Sequence, residues 1–225
     1  MIKEIYLFRG DPGTDYQAFR ESMLGLSGAV LAESNPFALK ITLTVKRPPG
    51  VSVIPFRRDK VAAISILRNS YGKPGSLING PGFIGGYRVK EAIPVAYEKT
   101  WEDRAATPGV CLLTLFHRRP DLDQEVFLRR WYGSHTPLSL RLHPLWNYNR
   151  NAVIGMLTED STRYDGIVEE QFRAAADLLN PVKFFGPPIR VPLHMYQVLK
   201  DTRSFIDMKR IETYLAEEYH IKSPG

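Results

Sequence analysis

Displaced by 108 positions, the chain matches itself. The shift lays LFRGDPGTDYQAF (7–19) on LFHRRPDLDQEVF (115–127), pairing Leu7 with Leu115, Phe8 with Phe116, Pro12 with Pro120, Asp15 with Asp123 and Phe19 with Phe127. Without a gap it also lays NPFALKITLTV (35–45) on HPLWNYNRNAV (143–153), through Pro36 with Pro144 and Val45 with Val153. Smaller shifts bring DKVAAISIL (59–67) over DGIVEEQF (165–172), and AIPVAYEK (92–99) near RVPLHMYQ (190–197). Two diverged copies of one unit restrict the fold: each copy must be one supersecondary unit whose apolar face is covered by the other.

The unit can be outlined from local pattern. Ile5 to Phe8 and Cys111 to Phe116 are short apolar runs bounded by Asp, Pro and Gly, as buried strands are. A helix follows each, with Asp15 and Asp123 as N-caps. Further strands are expected at 37–45 and 145–156, at 61–67 and 166–172, and at 92–99 and 190–197. RAAADLLN (173–180) reads as a helix stopped by Pro181, whereas RNSYGKPGSLINGPGFIGG (68–86) is so rich in Gly and Pro that a loop with at most one helical turn is expected. Strand, helix, two strands, helix, strand is the ferredoxin-like βαββαβ unit. The fold class is therefore α+β: two tandem units facing each other in an internal pseudo-dimeric α+β barrel, with a cavity expected between the two sheets. Residues 1–106 form a degenerate structural repeat, 107–200 the repeat with the site, and 201–225 an amphipathic helical tail lying on the barrel or on a partner.

Composition excludes several classes of function. At 225 residues with 44% hydrophobic content the chain can bury a core. Cys111 has no second cysteine to pair with, so no intrachain disulfide framework exists and a cytoplasmic setting is expected. The opening MIKEIYLFRGDPG is too briefly apolar for an export signal, and no run approaches a membrane span. The net charge of +6 is scattered over the chain without a nucleic-acid motif. No Cys/His spacing for zinc, phosphate-cradling loop or nucleophile elbow is present.

The copies differ in chemistry. His117, His135, His143, His194 and His220 all fall after residue 116, and the first copy has none. Under the ungapped shift Leu39, Ile41 and Leu43 become Asn147, Asn149 and Asn151, while Lys40 and Thr42 become Tyr148 and Arg150; under the smaller shift of the third strand Ala63 becomes Glu169. Buried amides and guanidinium groups need partners, so this strand should border a site.

LLTLFHRRPDLDQEVFLRRWYGSHTPL, YNRNAV and YDGIVEEQF together resemble the EthD family of dimeric α/β barrels: a basic, Pro-containing loop, a helix ending in Trp and His-x-Pro, then Tyr-x-Arg-Asn, then Asp-Gly-x-x-Glu. The resemblance spans roughly residues 110–198. It implies a site histidine at His135, the Tyr, Arg and Asn at Tyr148, Arg150 and Asn151, and the acidic element at Asp165 and Glu169. The family name implies a cavity more than a reaction.

The expected catalytic residues are His135, Tyr148 and Glu169. His135 would move a proton, Tyr148 would donate to an oxyanion, and Glu169 would orient the imidazole or pair with Arg150. Arg150, Asn151, Asn149, Trp131 and Trp146 would contact substrate, although Arg150 could equally be an ion pair with Glu169 or Glu170. Asp165 with Gly166 reads as a turn, and His143 and His194 as structural. The expected function is a cofactor-independent dehydration, cyclisation or isomerisation of a small hydrophobic aromatic or polyketide-like molecule, with no metal. Cofactor-free oxygenation of a phenol and metabolite binding without catalysis are the alternatives. Haem is a weaker one: tandem ferredoxin-like peroxidases carry a histidine ligand, but their Gly-x-x-Asp-Gly pattern is missing. Pairing of barrels through their exterior or the C-terminal segment is left open.

Overall fold

The computed structural model describes residues 1–69 and 74–224. β1 (Ile2–Arg9) leads into α1 (Tyr16–Ser34), followed by β2 (Ala38–Leu43), β3 (Val61–Arg68), the single turn α2 (Gly75–Ile78) and β4 (Phe83–Val95). The second half runs β5 (Val110–Phe116), α3 (Gln124–Arg130), a π-helical turn (Trp131–His135), α4 (Thr136–Leu142), β6 (Asn147–Met156) and β7 (Gly166–Phe172). It continues through α5 (Ala175–Leu179), α6 (Pro181–Phe185), a 3₁₀ turn (Pro188–Arg190), α7 (Val191–Thr202) and β8 (Glu212–Lys222). Both expected N-caps are in place: Asp15 accepts the Ala18 N–H at 2.8 Å and Asp123 that of Val126 at 2.7 Å.

The strands close into one antiparallel barrel in the order β1-β3-β2-β8-β5-β7-β6-β4. Within it, β4-β1-β3-β2 and β8-β5-β7-β6 are the ferredoxin-like orders of the two halves, joined where β2 meets β8 and β4 meets β6. The chain is thus an α+β pseudo-dimer, as its repeat implies. Each half buries its strands on two sides, against the barrel interior and beneath its own helices, which is why β1 and β5 read as continuous apolar runs. α1 covers the outer face of the first half, setting Phe19, Met23 and Val30 against Leu39, Ile41, Ile64 and Ile66.

Two expected elements exchange character. Residues 190–197 lie in the 3₁₀ turn and α7 rather than in a strand, and the expected helical tail contains β8. Pro192 sits in the first turn of α7, where a missing N–H costs nothing. In β8, Tyr214, Ala216 and Glu218 face inward while Leu215, Tyr219 and Ile221 face outward, a period of two that the apolar spacing had concealed. In the first half β4 begins at Phe83, ahead of the expected 92, and its pairing shifts between Ala92 and Val95, around Pro94. Part of the expected Gly/Pro-rich loop, residues 70–73, lies outside the described residues; α2 is the single turn that follows.

Packed side chains and buried ion pairs occupy much of the barrel interior. One end is filled by Ile5, Leu7, Cys111, Leu113, Leu115 and Tyr214. Towards the other, Lys40 Nζ bridges Glu169 at 3.0 Å and Glu218 at 2.8 Å, Thr42 donates to Glu169 at 2.5 Å, and Lys3 pairs with Glu91 at 2.5 Å. A pocket of about 300 Å³ opens beside these groups. Burial works against the charge on Lys40, but Glu169 and Glu218 outweigh it and hold the ammonium protonated.

Candidate active site

An apolar cavity of about 440 Å³ lies outside the barrel, between the outer face of the second half's sheet and its helices. Its floor carries Leu112, Thr114 and Phe116 of β5, Val168 and Glu170 of β7, and Tyr148 of β6. Gly166 lets the Phe116 ring lie flat here, because a Cβ at that position would overlap the ring. Trp131, His135 and Ser139 hang from the helical roof, and α7 closes one side with Met195, Tyr196 and Leu199.

The roof is shaped by the π turn. The sequence suggests a helix ending near Gly133, yet the helical path continues through Trp131–His135 into α4. Pro137 has no N–H for the Gly133 carbonyl and would crowd it in an α-helix. Widening by one residue removes that conflict, and the Thr136 N–H and hydroxyl both reach Trp131 O, the latter at 3.0 Å. The widened turn presents His135 on the same side as Ser139, facing the cavity.

His135 is oriented by Asp201, not by Glu169. Its Nδ1 lies 2.8 Å from Asp201 Oδ2, and a carboxylate can only accept, so Nδ1 carries the proton and Nε2 presents a lone pair. The Ser139 hydroxyl lies 3.3 Å from Nε2, and the Ser134 hydroxyl donates to the other Asp201 oxygen. Burial alone would raise the Asp201 carboxyl, but the hydrogen bonds from His135 and Ser134 hold it below its usual range. Glu169 instead faces the barrel interior with Lys40 and Thr42. Asp201 lies near the end of α7, just beyond the strand expected at 190–197 and at the first position of the segment read as a tail, so nothing in those readings brought it to the site; the apolar spacing of Val191, Met195, Val198 and Leu199 was the available signal for α7.

Tyr148 is buried in the floor; burial pushes its phenol up and the neighbouring Glu170 adds to this. Glu170, directly opposite Tyr148 across β6 and β7, makes no hydrogen bond or ion pair among the described residues. Desolvation raises its carboxyl to about 7. His143, read from sequence as structural, lines the same cavity. It stacks on Phe184 with centroids 3.9 Å apart, and its Nδ1 donates to the Phe184 carbonyl at 3.0 Å. Burial lowers it to about 4, so it is neutral and its Nε2 is an acceptor.

The remaining expected residues are dispersed. Arg150 pairs with neither Glu169 nor Glu170: its guanidinium donates to Thr136 Oγ1 at 2.5 Å and lies 4.1 Å from the Tyr132 ring centre. Asn149 bonds Glu91 at 2.7 Å and Asn151 the Ile167 carbonyl at 3.1 Å, both inside the barrel. Trp146 packs with Tyr97, Trp101 and Arg173, away from the cavity. Asp165 accepts the Arg118 N–H at 3.0 Å, as the turn before β7 requires. Among the described residues no group of His, Cys, Asp and Glu is arranged to hold a metal, and no helix is long and apolar enough to cross a membrane.

A closed barrel of two ferredoxin-like quartets, with a cavity under the helices of one of them, is a dimeric α+β barrel in tandem form. Residues 119–208 match the model of the EthD domain, so the likeness of the second half in sequence is to that family. Among solved structures, an anthrone oxidase-like protein superposes with a TM-score of 0.62 at 9% identity, covering 100% of this chain and 94% of its own. A candidate monooxygenase from Fusobacterium nucleatum subsp. nucleatum gives 0.51 at 9% identity, covering 98% of this chain and 92% of its own. These likenesses establish the fold. No curated protein matches the sequence significantly.

Proposed function

We propose that the cavity of the second half is the active site of a cofactor-independent acid–base enzyme acting on a small hydrophobic, aromatic or polyketide-like molecule. The observation that carries this reading is His135, held by Asp201 in one tautomer at the wall of an apolar chamber. An imidazole so fixed takes a proton at Nε2, and Asp201 stabilises the imidazolium that forms. Ser139 lies on the path to Nε2 and passes the proton or turns aside for substrate. Tyr148 donates to the oxygen on which charge develops. Trp131 and Phe116 offer flat faces to an aromatic ring. The products would be those of dehydration, cyclisation or isomerisation, and residues 1–106 serve as scaffold.

A second reading is favoured by the character of the structural neighbours, one anthrone oxidase-like and one a candidate monooxygenase. The same base would generate a phenolate or enolate that reacts with dioxygen as co-substrate.

Proton abstraction tests both. Aryl ketones and anthrone-like phenols are incubated in D₂O, and exchange at the acidic carbon is followed by NMR, with oxygen uptake recorded in parallel. His135→Ala should slow exchange by about 10²–10⁴-fold while the melting temperature holds. Exchange at the wild-type rate in this variant would remove His135 as the base, and exchange without oxygen uptake would remove the oxygenase reading.

A further inference from the structure

In the second half's floor, Tyr148 and Glu170 project side by side from β6 and β7 into one cavity, a spacing of about 5 Å between neighbouring Cβ atoms. Tyr148 is an O–H donor at any physiological pH. Glu170 is a carboxyl group with no cation to neutralise it: among the described residues neither lysine nor arginine lines the cavity, and Arg150, on the same sheet face, is turned to Thr136 and the Tyr132 ring. The titratable groups around Glu170 are Tyr148 on β6, His135 on the roof, His143 after α4 and Tyr196 on α7, with Asp201 behind His135. His143 is neutral, so apart from His135 nothing facing the cavity offers positive charge.

We propose that Glu170 is a further catalytic residue: together with Tyr148 it forms a two-donor cradle for the oxygen of an uncharged carbonyl or phenolic substrate, and it turns organic acids away. The proposal rests on the acid–base reading of the same cavity and adds the substrate class. Desolvation supports it, because it holds the Glu170 carboxyl near the midpoint of its titration at neutral pH: the protonated form donates to a neutral oxygen, and the ionised form repels an anion. An acid kept neutral in an apolar site beside a phenol has a known use, the stabilisation of an enolate. In the step, His135 Nε2 takes the proton α to the carbonyl. The C–H electron pair becomes the new C=C bond, and the carbonyl π pair moves to oxygen, where the Tyr148 and Glu170 hydroxyls hold it. Return of the proton to another carbon completes an isomerisation; return to a departing hydroxyl releases water. No oxidant is needed. A carboxylate ligand would meet Glu170 with no lysine or arginine to offset its charge.

Calorimetric titration of 2-naphthol and 2-naphthoate into the whole protein at pH 8 and pH 6 tests this, with melting curves recorded for every variant. The wild-type protein should prefer 2-naphthol by at least about tenfold at pH 8, a difference of one pKa unit in free energy. 2-Naphthoate should bind more tightly at pH 6, where Glu170 gains its proton. Glu170→Gln, which keeps a donor and loses the charge, should shrink the preference and flatten the pH dependence. Glu170→Leu should also lose affinity for 2-naphthol. Equal affinities in the wild-type protein, no binding of 2-naphthol, or an unchanged preference in Glu170→Gln would overturn the proposal. So would a preference abolished by His135→Ala, since the imidazole would then be its source. Proton exchange in the same His135 variant reports separately on the base, so loss of one reading is not mistaken for loss of the other.

Discussion

The two halves share a fold and a strand order, yet one is packed dry beneath its helix and the other holds a chamber. In the first half the unbroken α1 lays Phe19, Met23 and Val30 on Leu39, Ile41, Ile64 and Ile66. Matching the halves through their strand pairings sets Leu39 against Tyr148, Ile41 against Arg150, Ile64 against Val168 and Ile66 against Glu170. The roof changes as well: the second half replaces one straight helix by α3, the π turn and α4. Polar groups in the floor and a widened turn in the roof convert a core into a site. The two halves therefore differ both on the outer sheet face and in the helices above it, while sharing one barrel.

The sharpest way to break this comparison is to make the dry half resemble the other. Ile66→Glu places an unpaired carboxylate under α1 at a fully buried position, and should cost about 4 kcal/mol or more in urea unfolding. A cost near zero would mean that α1 can lift as the second half's roof does. Next, Asp201→Asn should lower turnover by at least about 100-fold with little change in melting, because the amide lets His135 adopt the wrong tautomer.

Smaller, but specific to the second half, is the pH dependence of stability. The folded-state pKa of Glu170, about 7, stands above its ordinary value of 4.5, so the folded state binds the extra proton between these values. Its contribution is favourable below about pH 4.5 and is lost as pH rises through 7, by about 3 kcal/mol. Unfolding free energies of Glu170→Gln measured from pH 4 to 8 should lack that decline. The smallest effect is expected at Trp146→Phe, which should leave turnover within about twofold, since the ring packs with Tyr97 and Trp101 away from the cavity.

Much of this architecture is legible in the amino-acid sequence alone. The N-caps Asp15 and Asp123 and the strands at Ile5–Phe8 and Cys111–Phe116 set the shift between copies, and the repeat implies the barrel. The face of each site residue is not legible, because the ungapped shift is wrong by one residue at the second strand. Leu39 corresponds to Tyr148, not to Asn147, and a slip of one exchanges every inward and outward side chain of a strand. Asn149 and Asn151 of β6 and Glu169 of β7 line the barrel interior, and none of the three borders the helix-covered cavity. His135 and Tyr148 stand out because their types depart from the first copy whichever register is used. Asp201 and Glu170 escape for different reasons: the first opens the segment read as a tail rather than closing α7, and the second is drawn into an ion pair that Arg150 does not make.

The seam between β2 and β8 joins residues 38–43 to residues 212–222, nearly the whole chain apart. Contacts so distant form late, because the loop entropy must be overcome before they reward the chain. Until β8 arrives, β2 is an open sheet edge, the kind of surface that recruits other chains. Lys40 points inward from that edge, and its charge is unwelcome there until Glu218 arrives on β8 and Glu169 on β7. The buried lysine thus sets a condition on what can close the seam: a strand pairing with β2 must bring a counter-charge for Lys40, as β8 does with Glu218.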